Sequence, residues 1–213
     1  MTLVFREVPT ADARDHWGKV YRATAETAVS WYQPHLTRSL AYVLAAGDQS
    51  TSIIDIGGGA STLVDDLLSR DYADVTVLDV AESALAQARA RLGTKAEKVS
   101  WIAADITTWR PVRPYQIWHD RAVFHFLTTD SQQSAYIAAL RAATLPGSTI
   151  IMATFAPDGP ETCDGLPVQR YSPQSLIARL GPSFFLLDDT RETHTTPGGT
   201  EQPFSYAIIG RTA

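Results

Sequence analysis

The sequence predicts an α/β fold with a Rossmann-like, seven-stranded, mostly parallel sheet and an antiparallel last strand. Strand-like and helix-like patterns alternate from residue 53 to residue 155. A glycine run at 57–59 separates the first strand from the first helix of this series. Two strand-like segments near the carboxyl end flank Pro197-Gly-Gly199, which indicates an antiparallel pair. We predict an N-terminal helical lid over residues 1–47 and a sheet domain over residues 48–213.

The lid is predicted to contain two helices. The first covers residues 10–29, with Thr10 as its N-cap. Pro34 interrupts the helical pattern because proline cannot continue a helix interior. The second helix covers residues 36–46 and stops at Gly47.

The sheet domain is predicted to begin with five strand–helix units and to end with a helix and two strands. The expected strands are residues 53–56, 75–79, 99–103, 115–119, 149–155, 183–187 (possibly continuing to 192) and 204–210. The expected helices begin at Ser61 or Thr62 and cover residues 81–91, 131–143 and 173–180.

Composition limits the partners that we expect. A net charge of −5 and an isoelectric point near 5.5 argue against nucleic acid as the main partner. The single cysteine, Cys163, excludes an internal disulfide and indicates a reducing compartment. Because no segment reads as a membrane span or a signal peptide, we expect a cytoplasmic protein that does not associate with membranes.

The glycine run predicts a ligand site. Strand, glycine turn and helix N-terminus together form a nucleotide-type cradle, although a tight loop that binds nothing is the alternative. Asp55 lies in the strand, where a buried carboxylate needs a partner. Asp79 ends the next strand at a distance suited to a ribose hydroxyl. The dinucleotide pattern Gly-x-Gly-x-x-Gly fits poorly, because Thr62 occupies the third glycine position.

The pattern Asp55-x-Gly57-x-Gly59-x-Ser61 resembles the first motif of class I S-adenosylmethionine-dependent methyltransferases. The resemblance implies a seven-stranded sheet and S-adenosyl-L-methionine as the cofactor. Gly58 departs from the family pattern, since many members carry cysteine or another residue there. The implied cofactor contacts are Asp55, Gly57, Gly58, Gly59 and Ser61 for the methionine part, Asp79 with Val80 for the ribose and adenine, Asp105 with Ile106 for the adenine, and Asp120, Arg121 and Ala122 beside the sulfur.

Aromatic residues of the lid are candidates for the wall of the site. Trp17, Tyr21, Trp31 and Tyr32 are expected to contact cofactor or substrate, because aromatic faces attract a sulfonium cation. The alternative is that they serve only in packing. The segments at 16–21 and 30–33 resemble small bacterial methyltransferases and, more loosely, eukaryotic lysine methyltransferases that act on elongation factors and citrate synthase.

His125 and Asp120 are the candidate catalytic residues. His125 lies in a segment after the fourth strand that resembles one found in many family members. It is a candidate general base, or alternatively a buried histidine that orients a loop. The long loop 156–171 is expected to contribute to substrate binding through Arg170 and Tyr171. The five histidines show no ligand spacing, so we expect no metal.

These observations favour methyl transfer from S-adenosylmethionine to a small-molecule nucleophile. A protein lysine N-methyltransferase is the main alternative, and its pocket should combine aromatic side chains with acids that hold the amine. An NAD-dependent oxidoreductase and a non-catalytic cofactor-binding module are less favoured. The sequence leaves the methylated atom and the oligomeric state open.

Overall fold

The structure is a computed structural model that describes residues 10–212, with side chains from Ala13 onward. The predicted capping role of the Thr10 side chain lies outside the described residues. The α-helices are α1 (Thr10–Ala23), α2 (Thr37–Ala46), α3 (Leu63–Leu68), α4 (Glu82–Leu92), α5 (Asp130–Ala143) and α6 (Pro173–Leu180). The strands are β1 (Ile53–Ile56), β2 (Val75–Asp79), β3 (Val99–Ala103), β4 (Tyr115–Arg121), β5 (Thr144–Phe155), β6 (Thr162–Cys163), β7 (Leu166–Pro167), β8 (Phe184–Thr195) and β9 (Glu201–Arg211).

Seven of the strands form one sheet in the order β3-β2-β1-β4-β5-β9-β8. Strands β1 to β5 pair in parallel, whereas β9 runs antiparallel to both of its neighbours. The predicted fold is therefore confirmed, including the antiparallel last strand. The register places Ile56 beside Leu78 on one side and beside Asp120 on the other. The carboxyl ends of β1, β2 and β4 thus meet at one edge of the sheet.

Local sequence accounts for where the main elements begin and end. Every residue of β1 is buried, as expected for β-branched isoleucines in a central parallel strand. Thr129 begins α5 with a capping box closed by Gln132. Ser172 and Pro173 begin α6, and Gly181 ends it.

The structure differs from the predicted elements in several places, including strand β5, which begins at Thr144 rather than at residue 149. Helix α1 ends at Ala23 rather than at residue 29, and a short 3₁₀ turn follows at Glu26–Ala28. The chain turns there because Trp31 packs edge-on against Trp17, with ring centroids 5.4 Å apart. The predicted loop 156–171 contains the small β6–β7 hairpin, whose turn at Asp164-Gly165 has positive φ at both residues. This Asp-Gly pair is a type I′ turn signal that our sequence interpretation missed.

A buried hydrogen-bond chain joins α5 to the sheet below it. Trp118 donates from Nε1 to the Tyr136 hydroxyl (2.9 Å), and that hydroxyl donates to Asp120. All three side chains are fully buried. Tyr136 therefore gives Trp118 its hydrogen-bond partner in the core and adds a third donor to Asp120.

We predict that Tyr136→Phe lowers the free energy of unfolding by about 1–3 kcal/mol, because Trp118 and Asp120 each lose a buried partner. Urea denaturation at neutral pH measures the change. The matched control is Tyr42→Phe, whose hydroxyl bonds to Asp188 at the surface and whose loss should cost less than about 0.5 kcal/mol. Equal losses in the two variants would contradict a structural role for the buried chain.

Candidate active site

The carboxyl edge of the sheet holds two neighbouring cavities. The larger, of about 160 Å³, extends from the ends of β2 and β3 to the start of β9. The smaller, of about 50 Å³, lies beside the glycine turn after β1. Tyr21, Trp31, Gly57 and Arg121 line both cavities, so the two form one continuous region. This is the edge at which parallel α/β sheets bind ligands.

The glycine turn has no room for side chains. Gly57 has φ +66°, and a Cβ there would lie 2.1 Å from Val123 Cγ2. A Cβ on Gly58 would lie 2.5 Å from an Asp55 carboxylate oxygen. Gly59 has φ +38°, and its Cβ would approach Asp79 to 2.7 Å. The two neighbouring carboxylates thus come close to the backbone, as a cradle for a polar ligand requires.

Asp55 has a buried partner, as a carboxylate inside a strand requires. Its Oδ1 lies 2.6 Å from His119 Nδ1, and His119 Nε2 lies 2.8 Å from the Ser39 hydroxyl. Ser39 lies 3.2 Å from the hydroxyl of Tyr206. The chain of contacts links α2 and β9 to the carboxylate below the glycine turn. His119 is therefore a positioning residue for Asp55.

Asp79 and Asp105 line the larger cavity at the ends of their strands. Asp79 accepts a hydrogen bond from the backbone N–H of Ala81 at 2.8 Å. Burial raises its pKa to about 7, with Asp55 adding to the rise and backbone hydrogen bonds opposing it. Asp105 accepts from the backbone N–H and the hydroxyl of Thr107 through Oδ1. These carboxylates are acceptors for the hydroxyls and amino groups of a nucleoside.

The segment of residues 10–47, which we predicted to form a lid, contacts the rest of the fold through polar side chains at several points. His16 on α1 lies 3.0 Å from Asp164 in the β6–β7 hairpin. Gln33 contacts His194 of β8 at 3.0 Å. Arg91 donates to Glu26 of the lid (2.6 Å) and also to the carbonyl groups of Ala60 and Ser61. The lid, the hairpin and the glycine turn therefore form one packed wall.

The end of the larger cavity away from Asp79 is aromatic, and we call it the distal pocket. It is lined by Phe126, Phe155, Cys163, Gln202 and Phe204. Arg121 enters it from β4, with the guanidinium carbon 4.5 Å from the Phe204 ring centroid. Trp17 covers it from the lid, 5.0 Å from the Phe126 ring.

Most of the residues predicted to contact the cofactor or the substrate line one of the two cavities. The larger cavity is lined by Trp17, Tyr21, Trp31, Gly57, Asp79, Val80, Asp105, Ile106, Arg121 and Ala122. The smaller cavity is lined by Tyr21, Trp31, Tyr32, Asp55, Gly57, Gly58, Ser61 and Arg121. Gly59 lines neither cavity, and its backbone instead faces Asp79.

Asp120 and His125 do not line either cavity, so their placement does not fit the predicted catalytic roles. Asp120 is fully buried and closes the turn after β4 by accepting from the backbone N–H groups of Val123 and Phe124. His125 is fully buried, and its Nδ1 accepts from the N–H of Phe155. Burial, together with the field of Arg121, lowers the pKa of His125 to about 3, so the ring is neutral and a poor base. Both residues orient the turn that carries Ala122, which has φ +72°.

The predicted substrate contacts of the long loop are also misplaced. Arg170 donates to Gly159 and Glu161 within its own loop. Tyr171 is buried, and its hydroxyl accepts from Gln133 at 3.0 Å. Neither residue lines a cavity. The loop contributes Cys163, Leu166 and Pro167 instead.

Most residues of the distal pocket carry no signal in the sequence. Gln202 and Phe204 lie at the start of β9, about 80 residues from Arg121 along the chain. No local motif marks them, and only the pairing of β9 with β5 brings them to the site. Phe155 was foreseeable, since it ends a parallel strand at the edge where the acids lie.

Among the described residues, no group of three or more histidine, cysteine or acidic side chains is arranged to hold a metal ion. Within the same part of the chain, no helix combines the length and the apolar character that a membrane crossing requires.

Comparison with known proteins identifies relatives. Residues 53–147 match a family described as "Methyltransferase domain". Over 135 residues, 62% of this chain, the sequence is 25% identical to the eEF1A lysine and N-terminal methyltransferase of Mus musculus, and the match covers 19% of that protein. The bovine counterpart is 24% identical over 121 residues, or 56% of this chain and 17% of the relative. The chain thus spans about a fifth of the length of these curated relatives.

Solved structures share the fold over nearly the whole chain. A SAM-dependent methyltransferase from Anabaena variabilis superposes with a TM-score of 0.75 at 15% identity, covering 99% of both chains. The 1,6-didemethyltoxoflavin-N1-methyltransferase of Burkholderia thailandensis, with bound 1,6-didemethyltoxoflavin and S-adenosylhomocysteine, also gives 0.75, at 18% identity over 100% of this chain and 94% of that one. The N-methyltransferase NodS of Bradyrhizobium japonicum gives 0.71 at 15% identity over 95% and 100%.

We predict a pH dependence for nucleoside binding from the raised pKa of Asp79. Only the ionised carboxylate accepts hydrogen bonds through both oxygens, so affinity for S-adenosylhomocysteine should rise as pH increases through about 7. In the unliganded protein, the free energy of unfolding should change with pH in the opposite direction and fall as pH rises. A raised folded-state pKa contributes stability below the unfolded value, and that contribution is lost as pH rises through about 7.

Calorimetric titrations between pH 5.5 and 8.5 test both statements when combined with thermal unfolding of the unliganded protein. The matched control is Asp79→Asn, which cannot ionise and should flatten the component of each profile centred near pH 7. A wild-type affinity independent of pH would contradict the assignment of Asp79 to the ribose.

Proposed function

We propose that this chain, whose residues 53–147 match the methyltransferase domain family, is a class I S-adenosylmethionine-dependent methyltransferase that transfers a methyl group to a small molecule rather than to a protein lysine. The observation that carries the choice is the charge of the distal pocket. Among the described residues that line the larger cavity, the acids Asp79 and Asp105 lie at the nucleoside end, and the single cation, Arg121, lies at the other.

The residues present fit the cofactor. The glycine turn leaves backbone exposed to the smaller cavity, where its methionine part would lie beside Asp55 and Ser61. Asp79 would accept hydrogen bonds from the ribose hydroxyls, and Asp105 with Ile106 would contact the adenine. When bound, S-adenosylmethionine supplies an activated methyl group, which passes to a lone pair of the acceptor while the carbon–sulfur electrons remain on sulfur.

The chain's own contribution to the reaction is alignment. The aromatic walls and the lid exclude water and hold the acceptor in line, which is the main requirement of a displacement at carbon. Cys163 in the distal pocket and Tyr21 elsewhere in the cavity wall remain protonated at neutral pH, so neither can accept a proton. Burial raises the pKa of the Cys163 thiol to about 11 and also raises that of Tyr21. The acceptor atom must therefore carry a free lone pair when it arrives, or lose its proton to solvent.

A lysine acceptor fits this pocket less well. The similarity to the eEF1A lysine methyltransferase supports that alternative. A lysine pocket needs carboxylates to hold the ammonium group, whereas Arg121 would repel it. The 1,6-didemethyltoxoflavin bound to the Burkholderia enzyme supports the small-molecule choice, because that neighbour shares the fold over the whole of this chain.

We assign the residues up to 47 to a lid over the cofactor. Trp17 and Tyr21 from α1, with Trp31 from the following segment, line the larger cavity. The contact between His16 and Asp164 joins the lid to the hairpin on the far side of the cavity. Opening of this contact would give cofactor and acceptor a path to the site.

Two measurements test the proposal. We expect the purified protein to bind S-adenosylhomocysteine and not NAD in isothermal titration. With radiolabelled S-adenosylmethionine and a cell extract, the label should appear in the low-molecular-weight fraction. A labelled protein band that is lost after lysine-specific blocking of the extract would establish the alternative acceptor.

The control variants separate binding from folding. Asp79→Ala should weaken S-adenosylhomocysteine binding at least tenfold, because a charged acceptor of the ribose hydroxyls is removed. Asp189→Ala, an exposed aspartate on β8, should bind as the wild type does. Preference for NAD would contradict the family assignment of the cofactor.

A further inference from the structure

Arg121 is a cation without an anionic partner. Its Nε and Nη2 atoms are buried and form no hydrogen bond, and Nη1 makes one long contact of 3.4 Å with the Trp31 carbonyl. None of the ion pairs among the described residues includes it. Buried guanidinium groups are normally paired, because desolvation without compensation is costly.

The positive charge of Arg121 disfavours protonation of two neighbouring histidines. It lowers the pKa of His125 and that of His194, in both cases after the larger effect of burial. Glu192 acts on His194 in the opposite direction, yet it lines neither cavity and one of its oxygens is itself buried without a partner. Arg121 lines both cavities, and its Nε and Nη2 donors are buried beside them without a hydrogen-bond partner.

The surroundings of Arg121 are flat and apolar. Its guanidinium lies over the Phe204 ring, and Phe204 packs edge-on against Phe155 with centroids 4.9 Å apart. Trp17 and Phe126 form a second aromatic pair at 5.0 Å. A site of this composition favours a ligand with an aromatic ring and one anionic group, since the ring fills the apolar space and the anion uses the free donors.

Resting on the proposed function, we infer that the methyl acceptor is a planar aromatic acid whose anionic group binds the Arg121 guanidinium in the distal pocket. The guanidinium offers Nε and Nη2 as a fork that matches a carboxylate. Arg121 is thus a specificity residue for the acceptor. The cofactor's own carboxylate would instead lie beside the glycine turn, at Ser61 and the neighbouring backbone N–H groups.

Binding of matched acids and amides tests the inference without knowledge of the natural acceptor. The probes are benzoate, salicylate, nicotinate, indole-3-carboxylate and quinoline-2-carboxylate, each paired with its neutral amide. Each is titrated into protein saturated with S-adenosylhomocysteine and into protein without it, and the fluorescence of Trp17 and Trp31 in the cavity wall serves as one readout, with calorimetry as the second. We expect at least one acid to bind about tenfold or more tightly than its amide.

Variants at Arg121 test whether its guanidinium causes the preference for acids over amides. In protein saturated with S-adenosylhomocysteine, Arg121→Met should abolish the preference for acid over amide, and Arg121→Lys should retain part of the preference because it keeps the charge. The matched control, Arg191→Met on β8, removes an exposed arginine paired with Asp158 and should behave as the wild type.

Three results would overturn the inference. One is that no acid of the panel binds more tightly than its amide. Another is that the preference survives in Arg121→Met. The third is that Arg121→Met loses S-adenosylhomocysteine rather than the acid, which would assign the guanidinium to the cofactor. Failure of the wild type to bind S-adenosylhomocysteine would instead refute the proposed function, and the titrations without it would still report on the acids.

Discussion

The close approach of two carboxylates to a turn without side chains is the constraint on which the site depends. Asp55 and Asp79 come so near to Gly58 and Gly59 that a single methyl group at either glycine would meet a carboxylate oxygen. Asp55 adds to the raised pKa of Asp79, after the larger effect of burial. The fold must therefore supply compensating hydrogen bonds from elsewhere.

That compensation explains why distant elements converge below the glycine turn. His119 from β4 reaches Asp55, and Ser39 from α2 reaches His119. Asp79 takes its hydrogen bonds locally, from the backbone at Ala81. The hydrogen bonds of Asp55 thus come from distant elements, whereas those of Asp79 come from the turn that follows its own strand. Because Ser39 belongs to the lid region, the same network couples lid packing to the geometry of the turn.

The sequence predicted the residues around the glycine turn and the strand ends far better than those of the distal pocket, and the reason is physical. Parallel strands end at the same edge of a sheet, so acids that follow successive strands are expected to lie beside the glycine turn even when they are far from it along the chain. Gly57, Asp79 and Asp105 were found in this way. The distal pocket is built by the antiparallel strand β9, whose register with β5 no local pattern reveals. Phe204 consequently carried no signal.

His125 shows where a motif interpretation fails. A histidine that follows a strand at the ligand-binding edge of the sheet suggests a general base. Here Phe126 and Phe155 pack against the ring and bury it, and the charge of Arg121 disfavours its protonation. Because this ring is buried and neutral, the atom that is methylated in the proposed reaction must arrive with a free lone pair. The anionic group that we propose to bind Arg121 is a separate group of the acceptor, which orients the molecule and does not remove that proton. The choice of acceptor, rather than a dedicated catalytic base, then decides which atom can be methylated.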